Sequence, residues 1–132
     1  KRAMSDRLVF EVPGRPVPYT RQTHRSKGVR RQARRYNQYK ARVEQHAFVA
    51  AQKQGWERPA GDGSEPVAID VDIYLEKGPW ADGDNIFKAI LDGIQPGVIP
   101  DDRVTHVRRG NFQCIFDEGE KVVVQVQRIS QD

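Results

Sequence analysis

Four aspartates in two short segments of the sequence are the residues best suited to hold a metal ion. Asp82 and Asp84 are two positions apart, where the pattern predicts that a strand gives way to a helix. Alternate side chains of an extended segment project to the same side, so this pair could share one cation. Asp101 or Asp102 can supply a third carboxylate, because a helix and a short return loop would bring the chain back near its starting end. Mg²⁺ prefers such oxygen ligands and keeps water positions that a phosphate can take.

Lys88 stands four positions after Asp84, in a segment whose apolar spacing predicts a helix. Side chains four residues apart are neighbours on a helix surface, so the Lys88 ammonium could face a phosphate held at the acidic cluster. A positive charge there can neutralise the charge that develops on the phosphate during cleavage. The residues therefore predict metal-assisted hydrolysis of a phosphodiester, with Lys88 stabilising the transition state.

Each of these features also has a simpler interpretation. Aspartate or asparagine at a helix start most often caps the helix, and Asp84 and Asn85 are in that position. The spacing of Asp84, Lys88 and Asp92 is also that of ordinary surface ion pairs. The acidic pair after the helix is equally typical of a turn. The convergence of all these residues around one helix favours the metal site.

Asp70 and Asp72 form a rival pair with the same two-residue spacing. They share one face of a predicted strand, so geometry alone does not choose between the two pairs. We interpret this pair as the polar face of an amphipathic strand, because no lysine follows it at helical spacing.

Positive charge is concentrated in the first third of the chain. Of the 22 Lys and Arg residues, 13 lie at or before Val43, with only two of the 18 Asp and Glu residues. No carboxylate interrupts the segment between Val12 and Val43, and the planar fork of arginine can grip phosphate oxygens in pairs. The cations of this basic segment are Arg15, Arg21, Arg25, Lys27, Arg30, Arg31, Arg34, Arg35, Lys40 and Arg42.

This basic segment predicts contacts to nucleic-acid phosphates, and the alternative is a solvated basic surface. Aromatic rings interleaved with the cations can stack on bases or pack under phosphate-bound arginines. These rings belong to Tyr19, His24, Tyr36 and Tyr39. The candidate DNA contacts are Arg15, Arg21, Arg25, Lys27, Arg30 and Arg31. His24, His46 and His106 are isolated from the carboxylates in sequence, and we expect surface or DNA-facing roles for them.

The elements that must position these residues follow from hydrophobic periodicity. The pattern predicts an α+β fold, one small domain of order β-α-β-α-β-β, with two helices on one face of a mixed sheet. The last two strands flank the segment 117–120, which reads as a hairpin turn. The predicted elements are a strand around 8–12, a helix at about 34–54, a strand at 67–75, a helix around 86–94, and strands at 104–116 and 121–129.

Composition limits the class of protein. With 132 residues the chain has room for about one domain, and 37% hydrophobic content predicts a thin core that a partner subunit could supplement. No apolar run could span a bilayer and no secretory signal is recognisable, so we expect a cytoplasmic protein without a membrane partner. The single cysteine, Cys114, excludes an intrachain disulfide and a multi-cysteine zinc site. We interpret Met4 as the natural start.

The composite Asp82-x-Asp84-Asn85-x-x-Lys88-x-x-x-Asp92, followed by an apolar stretch and Asp101-Asp102, resembles the RusA-type Holliday junction resolvases. These are small bacterial and phage endonucleases. A looser resemblance runs from about Leu8 to Ile129 and includes the element Gly14-Arg15-Pro16. Gly83 stands between the paired aspartates where the family usually has a bulkier residue.

The resemblance implies a homodimer that resolves four-way DNA junctions by paired phosphodiester hydrolysis in recombination and repair. It implies that Asp82, Asp84 and Asp102 bind the catalytic Mg²⁺, with Mn²⁺ as a possible substitute, and that Lys88 is essential for cleavage. Asp92 and Asp101 match family positions to which we assign secondary roles. Two alternatives are a non-catalytic nucleic-acid-binding module and a metal nuclease that acts on other branched DNA or on RNA.

Overall fold

A computed structural model of the chain describes residues 6–19, 27–76 and 83–129, with the backbone alone for 27–29. The predicted order β-α-β-α-β-β and the single small domain are confirmed. Within the described ranges, no helix is both long and apolar enough to cross a bilayer. The elements are β1 (Arg7–Pro13), α1 (Lys27–Gln54), β2 (Val67–Leu75), α2 (Gly83–Ile94), β3 (Val107–Phe116) and β4 (Lys121–Arg128).

The four strands form one mixed sheet in the order β1-β4-β2-β3. β2 and β3 are parallel and are joined through α2, whereas β4 runs antiparallel to both β1 and β2. The expected hairpin between β3 and β4 is wrong, because β2 lies between them. After β3 the chain crosses the end of β2, where the Asp117 N–H donates to the Leu75 carbonyl at 2.9 Å.

The burial of β4 explains why this strand lies inside the sheet, between β1 and β2. β4 places Val122, Val124 and Val126 in the core, and a strand with such a face is stabilised by apolar neighbours on both sides. β3 is exposed along most of its length and occupies the sheet edge, where unpaired backbone groups can reach water. The burial of these three valines therefore places β4 between β1 and β2, although its short connection to β3 suggested a hairpin.

The core lies between one face of the sheet and the two helices. Strand register aligns Phe10, Val124, Val71 and Phe112 in one row across all four strands. The first three are buried, whereas Phe112, on the edge strand, is 39% exposed. Both helices pack on this face and on each other, as the sequence predicts. The other face of the sheet carries the alternating, mostly polar side chains.

Helix α1 begins at Lys27, about two turns before the predicted start near Arg34. Its first turns are exposed and basic, and the buried stripe starts only at Tyr36, which is why periodicity placed the start too late. At the other end, the Gln54 side chain accepts a hydrogen bond from the Val9 N–H at 3.0 Å and donates one to the Val9 carbonyl at 2.6 Å. The helix C-terminus is thereby fixed to the free edge of β1.

Close contacts at two glycines set the position of α2. A methyl group at Gly83 would overlap the ring of Phe112 in β3. A methyl group at Gly93 would lie 2.6 Å from Cγ1 of Val43 in α1. Gly83 thus allows the start of α2 to pack directly on the edge strand.

Candidate active site

Asp84 and Lys88 lie on consecutive turns at the start of α2. Asp84 belongs to the first turn of the helix and not to an extended segment as expected, because α2 already begins at Gly83. Its exposed carboxylate makes no hydrogen bond or ion pair with any residue that the structure describes. The Lys88 side chain is 45% exposed. Asp82 lies outside the described residues.

Asp101 and Asp102 differ sharply in their contacts. The Asp101 carboxylate accepts hydrogen bonds from the backbone N–H of Arg103 at 2.9 Å and from its Nε at 3.0 Å, and it contacts His106 Nδ1 at 2.8 Å. The bonds from Arg103 and then from His106 hold the pKa of Asp101 well below its usual range. Asp102 is exposed and has no such partner among residues 6–19, 27–76 and 83–129. Of this adjacent pair, Asp102 is therefore the one whose carboxylate has no contact with the described residues and is available for an external ligand.

The predicted ligands Asp82, Asp84 and Asp102 are only partly described. In the part of the chain that the structure describes, no three His, Cys, Asp or Glu side chains are grouped to hold a metal ion. The two described members, Asp84 and Asp102, are exposed carboxylates without partners among the described residues, and hard divalent cations prefer such oxygen donors. The donor chemistry fits Mg²⁺ or Mn²⁺, and the three-ligand set stays a prediction.

Lys88 is bordered by an acidic and an aromatic side chain. Its Nζ lies 3.8 Å from Oδ1 of Asp92 and 4.8 Å from the ring centroid of Tyr19. The hydroxyl of Tyr36 donates to Oδ2 of Asp92, and the rings of Tyr19 and Tyr36 meet edge to face with centroids 5.5 Å apart. The Tyr19 N–H also donates to the Asn85 carbonyl at 2.8 Å. Four side chains from α1, α2 and the loop after β1 thus converge.

The sequence analysis names both Tyr36 and Asp92, but it does not predict their contact with each other. Tyr36 was assigned a possible stacking role, but it is 2% exposed. Burial and then the hydrogen bond to Asp92 raise the pKa of its hydroxyl far above the usual value. The two residues are 56 positions apart, so no local spacing announces their contact.

Two further sequence expectations need correction. Tyr39 is 1% exposed and cannot stack on a base, although its ring does lie under an arginine, with Arg42 Cζ 5.6 Å from the centroid. His106 is 2% exposed and does not face the surface or DNA. Its Nε2 lies 3.3 Å from the Gly61 carbonyl while Nδ1 contacts Asp101, so it fixes the loop before β3. His24 lies outside the described residues.

The rival pair lies on the opposite face of the sheet. Asp70 and Asp72 accept hydrogen bonds from Asn111 at 3.4 Å and from Gln113 at 2.8 Å, on the neighbouring strand β3. The interpretation as the polar face of an amphipathic strand is confirmed by the burial pattern of β2. Because α2 packs on the other face, this pair does not belong to the surroundings of Lys88.

The basic segment is partly a helical surface. Arg30, Arg31, Arg34 and Arg35 are exposed on the first half of α1. Arg35 and Tyr19 line one cleft of about 210 Å³, so the basic surface adjoins the ring that borders Lys88. Arg15 is exposed in the loop after β1. Arg21 and Arg25 lie outside the described residues, and for Lys27 only the backbone is described.

Comparison with known proteins finds a matching family. The family model described as Endodeoxyribonuclease RusA matches residues 13–127, which include α1, β2, α2 and β3 in full, β4 apart from its last residue, and only the last residue of β1. No curated protein matches the sequence significantly. The match spans the basic helix, α2 with Asp84 and Lys88, and the loop with Asp102. The chain belongs to the RusA endodeoxyribonuclease family.

Proposed function

We propose that this protein is a metal-dependent endonuclease that resolves four-way DNA junctions in recombination and repair. The observation that carries the proposal is the family match over residues 13–127, which includes the exposed Asp84, Lys88 and Asp102. These three residues have the chemistry that phosphodiester cleavage requires: carboxylates without partners among the described residues, and a partly exposed ammonium.

Asp82, Asp84 and Asp102 would hold the divalent cation. Mg²⁺ or Mn²⁺ bound there supplies a Lewis acid and lowers the pKa of a bound water. Lys88 neutralises the negative charge that grows on the phosphate as the ester bond breaks. Asp101 is excluded as a ligand in this scheme, because Arg103 and His106 already occupy its carboxylate.

The basic segment binds the DNA backbone and offsets its repulsion from the acidic residues. Support comes from the exposure of Arg30, Arg31, Arg34 and Arg35 on one helix, and from the cleft that joins Arg35 to Tyr19 beside Lys88. We extend the same role to Arg15, Arg21, Arg25 and Lys27, which precede these arginines in the sequence. These contacts position the junction and do not take part in bond breaking.

Two copies of the chain would act together. A four-way junction has near two-fold symmetry, and a two-fold homodimer presents two equivalent sites to it. The pair of sites accounts for two nicks in one bound complex.

The test is incubation with a labelled four-way junction and with linear duplex of the same sequence, with Mg²⁺, Mn²⁺ or EDTA. We expect paired nicks in the junction only, and none in EDTA. Tight junction binding without cleavage under any of these conditions would instead identify a non-catalytic binding module. Equal cleavage of flaps, loops or RNA would identify a metal nuclease of different substrate range.

A further inference from the structure

We propose that Tyr36 is a positioning residue for Lys88 and acts through Asp92. This role rests on the proposed function, in which the Lys88 ammonium meets a phosphate. It adds to that function a residue of α1 that has no contact with the phosphate itself.

The first step is the anchoring of Asp92. An ion pair between residues i and i+4 on a helix surface usually holds neither side chain firmly. Here one carboxylate oxygen of Asp92 accepts the hydroxyl hydrogen of Tyr36, a buried side chain of a different helix. The other oxygen faces Lys88 Nζ at 3.8 Å. The acidic partner of Lys88 is therefore fixed by the core, not by its own helix.

The second step is the ring on the other side of Lys88. The Tyr19 ring lies 4.8 Å from Nζ, where a cation is attracted to the ring face. The Tyr19 ring packs edge to face on the ring of Tyr36. The backbone N–H of Tyr19 donates a hydrogen bond to the Asn85 carbonyl. Both neighbours of the ammonium therefore touch Tyr36, which couples the acidic and the aromatic side of the group.

Asp92 and Tyr19 restrict the position of the Lys88 side chain but leave its ammonium partly exposed. The separation of 3.8 Å from Asp92 is longer than a hydrogen bond, and the Lys88 side chain is 45% exposed. The ammonium can therefore bind a phosphate while its stem stays between Asp92 and Tyr19. Misplacement of a catalytic group by about 1 Å can reduce the rate by about 100-fold, so removing the anchor should affect cleavage more than binding.

The test compares Tyr36→Phe with Tyr39→Phe in the full-length protein. Tyr39 is a matched control, because it is buried on the same helix and its hydroxyl has no hydrogen-bond partner within the described structure. We expect Tyr36→Phe to lower the single-turnover cleavage rate at saturating protein by about 10- to 100-fold, with an unchanged junction Kd. Tyr39→Phe should cleave at the parental rate. Asp92→Asn should reproduce the effect of Tyr36→Phe.

A double mutant distinguishes a purely structural role of the Tyr36 hydroxyl from the positioning of Lys88. In a Lys88→Ala background Tyr36→Phe should cause no further loss of rate, because the group that it positions is gone. NMR relaxation of the Lys88 ammonium should show increased motion in Tyr36→Phe and not in Tyr39→Phe. Equal losses in both backgrounds, or an ammonium with unchanged motion, would overturn the positioning role.

The failure of the two proposals can be told apart. A parent protein that cuts no junction, or a Lys88→Ala variant that cuts at the parental rate, would overturn the proposed chemistry and the positioning role together. A parent that cuts, with Lys88→Ala impaired and Tyr36→Phe at the parental rate, would overturn the positioning role alone.

Discussion

Asp101 and Asp102 are adjacent in sequence, yet among the described residues only Asp101 is held by other side chains. Its carboxylate contacts Arg103 Nη2 and His106 Nδ1, each at 2.8 Å, whereas Asp102 is exposed and without a partner in the described ranges. The first residue shapes the loop before β3, and the second is available to a ligand. The structure thereby separates two residues that spacing alone could not distinguish.

Asp102→Asn and Asp84→Asn should abolish junction cleavage and preserve junction binding. Each change removes a ligand charge without enlarging the side chain. The measurement is single-turnover cleavage of a labelled junction with Mg²⁺, together with a gel-shift Kd in its absence. Asp70→Asn is the matched control and should leave cleavage near normal. A dead Asp70→Asn variant with active Asp84→Asn would move the metal site to the opposite face of the sheet.

Asp101→Asn should affect stability, with a characteristic pH dependence. Because hydrogen bonds from Arg103 and His106 lower the pKa of Asp101 in the folded state, its contribution to stability is present above the unfolded-state pKa of about 4. It is lost as the pH falls further toward the folded-state pKa. Urea unfolding of parent and variant should therefore differ most near neutral pH and converge in acid. A stability difference that stays constant from pH 7 down to pH 3 would contradict this prediction.

The parts of the fold that the sequence predicts correctly depend on local periodicity. Strand β2 has the expected bounds because apolar and polar residues alternate through it, and Asp84 and Lys88 lie one turn apart on α2 as their spacing indicates. Gly55, with φ at 71°, ends α1 where a glycine stop was expected. Such features involve residues within a few positions of one another, so propensity and spacing determine them.

The parts that sequence reasoning misses depend on distant contacts. Strand pairing was wrong for β3 and β4, because the order of a sheet follows from which strand has a face to bury. The hydrogen bond from Tyr36 to Asp92 and the contact of His106 with Gly61 join residues 56 and 45 positions apart. The sequence around Tyr36 and around His106 gives no indication of these distant partners. Tyr36 and His106, for which the sequence suggested contacts at the surface, are therefore both buried.

Gly93→Ala should destabilise the protein by about 1–3 kcal/mol, whereas Gly83→Ala should cost less. A methyl group at Gly93 would lie 2.6 Å from Val43 Cγ1 and 3.3 Å from the Lys40 carbonyl, and Val43 is fully buried, so its side chain cannot turn toward solvent. A methyl group at Gly83 meets the ring of Phe112, which is 39% exposed and can turn toward solvent.

The check is urea unfolding of both variants with the parent. In a Phe112→Ala background Gly83→Ala should become neutral or stabilising, since alanine has the higher helix propensity and the clash is gone. An equal loss of stability from Gly83→Ala in both backgrounds would show that Phe112 is not the cause.

Neutralising the basic helix surface should weaken DNA binding and leave the chemistry intact. At about 100° per residue, Arg30, Arg31, Arg34 and Arg35 occupy an arc of roughly 140°, with the buried Tyr36 on the opposite side of α1. Changing all four to Gln should reduce the slope of log Kd against log salt by about two to three units, because we expect two or three of them to contact phosphates and each contact contributes about 0.9. Cleavage at saturating protein should persist at the parental rate. Lys53→Gln, in the last turn of the same helix, is the control and should leave the slope unchanged. A quadruple variant with the parental slope would mean that this surface is only solvated and that the junction is held by other residues.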